Sequence, residues 1–398
     1  MATDPPLTPA LVPFDYQPRT RVVFGVNSIE RVGELAQTLG AKNALLVTDR
    51  GIVSAGHANR VRTLLEAAGI AVTCFDEVEE NPGTRCVDRC VQVARAASID
   101  TIVGLGGGSS MDTAKGCNFI LTNGGQMKDY WGIGRATRPM LPLLAIPTTG
   151  GTGSECQSFA LITDEQTHQK MACGDPKAAA RIALLDPALT VSQPARVTAC
   201  SGIDALAHAL ETLVTRNRNP WSLIFSREAF RLLIAGLPRV LTSPADLEAR
   251  GCMLLGAALA GTAIENSMLG AAHATANPLT AHFGVPHGHA VGLMLPHVLR
   301  FNAREAPAVR AYAEVACAAR IALPVAAPAA AAEHLSKHLE SLLEQASLPR
   351  TLDQFGVKPT DVPRLADEAA RQWTAQFNPR PVSTADFECL YTAALKPA

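Results

Sequence analysis

The sequence predicts an α/β amino-terminal dinucleotide-binding domain, mainly parallel and Rossmann-like, followed by an all-helical carboxy-terminal metal-binding domain. Three observations carry this. Strand-like apolar runs alternate with helical segments as far as about residue 190, a triple glycine (Gly106–Gly108) joins strand-like TIVGL to helix-like SSMDTAK, and Ala/Leu-rich segments without strand alternation fill the chain beyond Pro194.

Residues 1–17 read as a flexible extension: MATDPPLTPALVPFDYQPRT has neither the basic start nor the apolar core of a signal peptide. The dinucleotide-binding domain is expected over 18–192. Val22–Phe24 is its first strand, and Asn27 with Glu30 forms a capping-box-like start to a helix ending near Gly40. Further strands are Ala44–Thr48, Ile70–Phe75, Thr101–Leu105 and Leu143–Ile146. Between Phe159 and Ala172 two short strands around TDEQTH predict a hairpin. The helical domain is expected over 193–398, with Pro324–Ala332 a surface connection or a helix start.

Composition narrows the function. With 398 residues and 47% hydrophobic content the chain can bury two substantial cores, and a net charge of −1 gives no electrostatic case for nucleic acid or an anionic membrane. No apolar run reaches the length of about 18 residues needed to span a bilayer. The ten cysteines are scattered, without paired CxxC motifs, as expected for reduced thiols in a cytoplasm. Cys86 and Cys90 lie four apart on a predicted helix but have no companion ligands.

Two motifs carry chemistry. In GIDALAHALE, Asp204 and His208 are four apart in a Gly- and Pro-free run from Asp204 on, so a helix stacks them on one face. His273 ends another apolar helical stretch in this reading, and the breaks at Pro278, Gly284 and Pro286 let a turn return His287 to it. One carboxylate and three imidazoles suit Fe²⁺ or Zn²⁺. Upstream, Gly106, Gly107 and Gly108 allow close approach of a phosphate, and Ser109 and Ser110 open a helix whose first amides point at the anion. The pattern is neither GxGxxG nor GxxxxGK[ST].

GGGSSMDTAK (106–115), IPTTGGTGSE (146–155), GIDALAHALE (202–211), the His273/His287 pair with PHGHA, and FNPRP (377–381) together resemble the iron-containing, or group III, alcohol dehydrogenase family. The blocks occur in family order from about Val22 to Leu395. The resemblance implies a metal-dependent alcohol dehydrogenase or aldehyde reductase acting on a small alcohol or aldehyde, and a homodimer. The pyrophosphate of NAD(H) would lie over Gly106–Ser110, with Asp112 capping or ordering that turn. Asp49, at a strand end, would bind the adenosine ribose diol and repel a 2′-phosphate, favouring NAD(H) over NADP(H), although Arg50 stands beside it. The resemblance also turns Asn81, Thr148, Thr149 and Lys170 toward the cofactor.

A divalent ion assists loss of the alcohol's hydroxyl proton and, in reverse, polarises a carbonyl. The resembled family often has a second histidine four residues after the first metal histidine, and here that place holds Asn277, which cannot titrate. Asn277 is therefore a candidate to orient substrate or water, and His289 of PHGHA is either the alternative for a relay or an ordinary surface histidine. Related chemistries are a maleylacetate-reductase-like enzyme or a hydroxyacid–oxoacid transhydrogenase. Retention of all four ligands speaks against a metal-free reductase, and the intact cofactor motifs speak against a non-catalytic relative.

Overall fold

Strand and helix alternate through the first half of the chain, and the four central strands of the main sheet are buried on both faces. The computed structural model describes residues 13–166 and 169–396. The first half runs β1 (Arg21–Phe24), α1 (Val32–Thr38), β2 (Asn43–Val47), α2 (Arg50–Ser54), α3 (His57–Ala67), β3 (Ala71–Phe75), α4 (Thr84–Ala96), β4 (Thr101–Gly106), α5 (Gly108–Asn123), β5 (Gly132–Ile133), β6 (Leu143–Pro147), β7 (Phe159–Thr163), β8 (Lys170–Gly174) and β9 (Ile182–Leu185). Helices follow: α6 (Ala195–Thr212), α7 (Pro220–Thr242), α8 (Leu247–Ser267), α9 (Ala271–Phe283), α10 (His287–Asn302), α11 (Ala306–Ala318), α12 (Pro328–Gln345), α13 (Val362–Ala370) and α14 (Thr384–Ala394).

Among the described residues, six parallel strands form the main sheet in the order β1-β9-β6-β4-β2-β3. From β2 the chain winds outward to β3, then returns to place β4 on the other side of β2. The carboxyl ends of β2 and β4 are therefore the switch point, where ligands bind in open parallel sheets. Leu45 and Val47 face Cys86, Val87, Val91 and Met111 of α4 and α5, whereas Leu46 faces Val32, Leu35, Val61 and Leu65 of α1 and α3. Covering both faces explains why these strands are almost continuously apolar.

The expected hairpin is present. β7 and β8 pair antiparallel, with Phe159 opposite Gly174 and Thr163 opposite Lys170, and β5 joins β8 in parallel. Thr167 and His168 of its turn lie outside the described residues. β5 and β9 were not expected; IALL is too short an apolar run to separate from a buried helical segment by periodicity. The Asn27/Glu30 capping box does not form. Asn27 is left-handed (φ 61°) without a side-chain cap, and Asp186 serves instead, its two oxygens accepting from the amides of Asn27 (3.0 Å) and Ile29 (3.2 Å). Of the expected flexible extension, residues 1–12 lie outside the described residues. The remainder is not loose, since Phe14 and Tyr16 pack on Trp221 with ring centroids 6.4 and 4.8 Å away.

The helical half closes over its own apolar core, drawn from α6 to α14. α8 is long and apolar enough to span a bilayer by composition, yet 67% of its apolar window is buried between neighbouring helices. Two expectations about α9 need correction. Pro278 lies within the helix rather than breaking it, and His273 sits in its first turn rather than at the end of a helix. The expected breaks at Gly284 and Pro286 do separate α9 from α10, and a further break precedes α9, where Met268 (φ 71°) ends α8.

Candidate active site

α6 places Asp204, His208 and Glu211 at i, i+4 and i+7, one buried stripe of a helix. α9 brings His273 to that stripe, and the first residue of α10 brings His287. This approach requires Gly288, where a Cβ would lie 2.2 Å from the Cys200 carbonyl oxygen and 3.0 Å from Asp204 Cβ. His273 Nε2 stands 3.4 Å and His208 Nε2 3.7 Å from Asp204 Oδ1. The ligand atoms of Asp204, His208 and His273 all fall within 4.8 Å of one another, and the His287 ring lies beside them, 5.4 Å from that of His273.

Four buried polar atoms of this cluster have no hydrogen-bond partner: Asp204 Oδ1, His208 Nδ1, His273 Nε2 and His287 Nδ1. An orphaned buried polar atom costs about 1–3 kcal/mol. A divalent cation between Asp204 Oδ1 and His273 Nε2, which face each other at 3.4 Å with His208 Nε2 beside them, removes that penalty for both atoms, so the residues present fit such an ion. The charge pattern agrees. Burial alone would raise the Asp204 carboxyl, but His208, His273 and His287 hold it well below the usual carboxylate range. Burial pushes His287 down to about 3 and lowers His208, leaving both as neutral donors. His273 differs: burial would depress it, yet the carboxylates of Glu211 and Asp204 lift it to about 9.

Glu211 is the functional residue missed in the sequence. Its Oε2 lies 2.5 Å from His273 Nδ1, and its Oε1 accepts from the Ala272 amide at 2.7 Å. A carboxylate on one ring nitrogen fixes the tautomer that leaves the other free to ligate. The signal was available, because Glu211 ends the same GIDALAHALE block on the same helical face.

The other end of the cleft is the switch point. Gly106 adopts φ +143°, where a Cβ would lie 2.4 Å from Ser110 Oγ and 3.4 Å from Asp49 Oδ2, so Asp49 and the glycine loop face each other. Asp49 also caps α2, its Oδ1 accepting from the Ile52 amide at 3.0 Å. Ser109 Oγ accepts from the Asn81 amide (3.2 Å), and the Asn81 side-chain oxygen accepts from Lys170 Nζ (3.2 Å). Thr149 stands over Gly107, its Cγ2 3.4 Å from the position of a Cβ there. Asp112 does not cap the glycine turn. It accepts from Ser154 Oγ (3.1 Å), and burial raises its carboxyl to about 6.

A single cleft of about 1240 Å³ is lined by Asp49, Asn81, Gly107, Gly108, Ser109, Ser110, Asp112, Thr148, Thr149 and Lys170 together with Asp204, His208, His273 and His287. Gly106 stands just behind it. Among the described lining residues Asn277 is absent; its amide donates to Gln372 Oε1 at 3.0 Å. His289 is absent too and is not a surface histidine, being fully buried with its Nε2 2.7 Å from the Pro349 carbonyl.

The loop after β6 locks the two ends of the cleft together. A Cβ at Gly151 would lie 2.5 Å from Ser201 Cβ on α6, and one at Gly153 (φ +62°) would lie 2.4 Å from the Ala257 carbonyl oxygen on α8. Thr152 between them meets Gly108, with its Cγ2 2.8 Å from the position of a Cβ there.

Residues 18–187 match the family model described as iron-containing alcohol dehydrogenase, and residues 198–395 match the carboxy-terminal part of the same family. The chain is 34% identical to the 1,3-propanediol dehydrogenase of Klebsiella pneumoniae over 383 residues, covering 96% of this chain and 98% of that one. It is 34% identical to the NAD-dependent methanol dehydrogenase of Bacillus methanolicus, with 94% and 97% covered. A crystal structure of 1,3-propanediol oxidoreductase superimposes with a TM-score of 0.93 at 34% identity, covering 96% of this chain and all of that one.

Proposed function

We propose hydride exchange between NAD(H) and a small alcohol or aldehyde as the reaction of this chain, which belongs to the iron-containing alcohol dehydrogenase family. The observation that carries the reading is the meeting, in one cleft, of the buried Asp204, His208 and His273 cluster, with Asp204 Oδ1 and His273 Nε2 unpartnered and His287 beside it, and a glycine-rich helix start at the sheet's switch point. When bound, the nicotinamide supplies or accepts the hydride, and a divalent ion, Fe²⁺ or Zn²⁺, supplies the Lewis acidity that an alcohol or aldehyde needs at neutral pH.

The residues divide the remaining work. Asp204, His208, His273 and His287 would hold the ion in the cleft, and Glu211 would keep His273 Nε2 bare and aimed. Gly106, Gly107 and Gly108 let the pyrophosphate approach the backbone, and the first-turn amides at Ser109 and Ser110 donate to it. Thr148 and Thr149 line the same side, and Lys170 holds Asn81 in its left-handed conformation against Ser109. Asp49 would accept from the ribose diol. Asp76, Glu77, Glu79 and Glu80 line the same cleft and add to the charge opposing a 2′-phosphate, which supports NAD(H) over NADP(H). The division of labour between 18–192 and 193–398 is part of this proposal.

We also propose a cytoplasmic homodimer. All ten cysteines are free, and exposed Val22, Phe24 and Val26 flank the outer edge of β1. The test of the whole reading is NADH oxidation with a panel of short aldehydes by protein stripped of metal and reloaded with Fe²⁺ or Zn²⁺. Turnover should require the metal, and His273→Ala should lose it while retaining NADH. Turnover by metal-free protein would overturn the proposal.

A further inference from the structure

The cleft wall beside His273 is apolar. β7 contributes Phe159 and, two residues on along the strand, Leu161; α8 and the turn after it contribute Ile264 and Leu269. The ionic side chains next to this wall are already engaged, and Asp112 accepts from Ser154 Oγ (3.1 Å). Glu265 accepts from the Ser158 amide (2.9 Å) and hydroxyl (2.6 Å) and from Arg19 (2.7 Å). Lys115, fully buried, donates to Ser154 O (2.6 Å), Ser154 Oγ (2.9 Å) and Phe159 O (2.9 Å). Lys170 is directed to Asn81 on the nucleotide side, and Arg196 stands exposed at the rim.

Phe159 is the fixed part of this wall. Lys115 holds its carbonyl and Glu265 the preceding Ser158, and its ring lies across Gly174, where a Cβ would come within 2.4 Å of Phe159 Cε1. On another side it stacks on Trp373 with centroids 5.9 Å apart and planes 26° apart. Phe159 is 8% exposed and lines the cleft.

We propose that this chamber selects uncharged aldehydes and alcohols carrying an apolar chain, and that Phe159 is the residue that sets the preference. The inference rests on the dehydrogenase reading above and goes beyond it by naming the substrate class. A charged substituent would be stripped of water against Phe159, Leu161, Ile264 and Leu269, where the neighbouring Asp112, Lys115, Lys170 and Glu265 are already hydrogen-bonded, whereas each methylene placed there leaves water.

The test uses the metal-loaded protein with NADH. Across ethanal, propanal, butanal and pentanal, kcat/KM should rise about fourfold per added methylene until the chamber is filled. Betaine aldehyde and sulfoacetaldehyde, one cationic and one anionic, should fall at least about tenfold below butanal. Phe159→Asn should lower kcat/KM for pentanal about tenfold and for ethanal less than about twofold, with metal content and NADH affinity unchanged. Phe159→Leu should restore the slope, which separates wall chemistry from a folding defect. A flat chain-length series, a preference for either charged aldehyde, or an unchanged slope in Phe159→Asn would overturn the inference. If no aldehyde is reduced, the dehydrogenase reading fails, and the chamber is then decided by titrating 1-pentanol and choline against Trp373 fluorescence. Saturable quenching by pentanol alone supports it, and no quenching, or equal quenching by choline, overturns it.

Discussion

Glu211→Gln tests how far the metal site depends on a residue that touches no ion. Both oxygens of Glu211 are in use, one 2.5 Å from His273 Nδ1 and one on the Ala272 amide at 2.7 Å, and the side chain is 3% exposed. Glutamine preserves the volume but has one acceptor oxygen. If that oxygen stays on Ala272, the amide group faces His273 Nδ1 and drives the imidazole proton to Nε2, the atom that must be bare to ligate. If it turns to His273, the Ala272 amide is orphaned inside the protein. Loss of such a partner typically weakens metal affinity about 10- to 100-fold, which corresponds to about 1.4–2.7 kcal/mol. The assay is competition between metal-free protein and a chromogenic chelator, for wild type and variant, with NADH binding as the control. NADH affinity should not move, because the nucleotide loop lies at the other end of the cleft. A variant whose metal Kd stays within about twofold of wild type, with the same NADH affinity, would refute the argument that Glu211 sets the His273 tautomer.

Three further outcomes are expected. Asp49→Gly should raise NADPH use relative to NADH in steady-state kinetics, since it deletes the charge opposing a 2′-phosphate; an unchanged ratio would place the ribose contact elsewhere. Metal-free protein should lose stability as pH rises: His273, lifted to about 9 from its ordinary 6.5, stabilises the fold fully below pH 6.5 and loses that contribution as pH passes through 9. The metal-loaded protein should not share this fall, so the difference between the two thermal-denaturation series isolates His273, and parallel series would sink the assignment. Gly153→Ala forces a side chain into φ +62° and against the Ala257 carbonyl, so it should destabilise by about 2–5 kcal/mol. A melting temperature equal to wild type would show that the loop yields.

Spacing along one element was legible in the sequence; contacts between distant elements were not. GIDALAHALE exposes Asp204 and His208 because four residues on a helix always share a face, and the glycines at 106–108 mark the strand-to-helix turn wherever the sheet lies. The role of Glu211 depends on His273, 62 residues away, and Asp112 bonds Ser154, 42 residues away. No local pattern encodes those partners. Asn277 failed in the other direction: four-residue spacing from His273 implied a place in the cleft, but packing of α9 against the Trp373–Phe377 turn gives its amide to Gln372. Pro278 misled because a proline ends a helix only where the lost hydrogen bond matters more than the packing around it.

The glycine loop after β6 has a mechanical meaning. Gly151 rests on Ser201, three residues before Asp204 and so about 4.5 Å along the α6 axis, while Thr152 rests on Gly108 at the start of α5. A Cβ at Gly151 or at Gly108 would wedge this loop away from α6 or from α5, so two missing side chains set how closely the helix start at the switch point approaches the helix that carries Asp204.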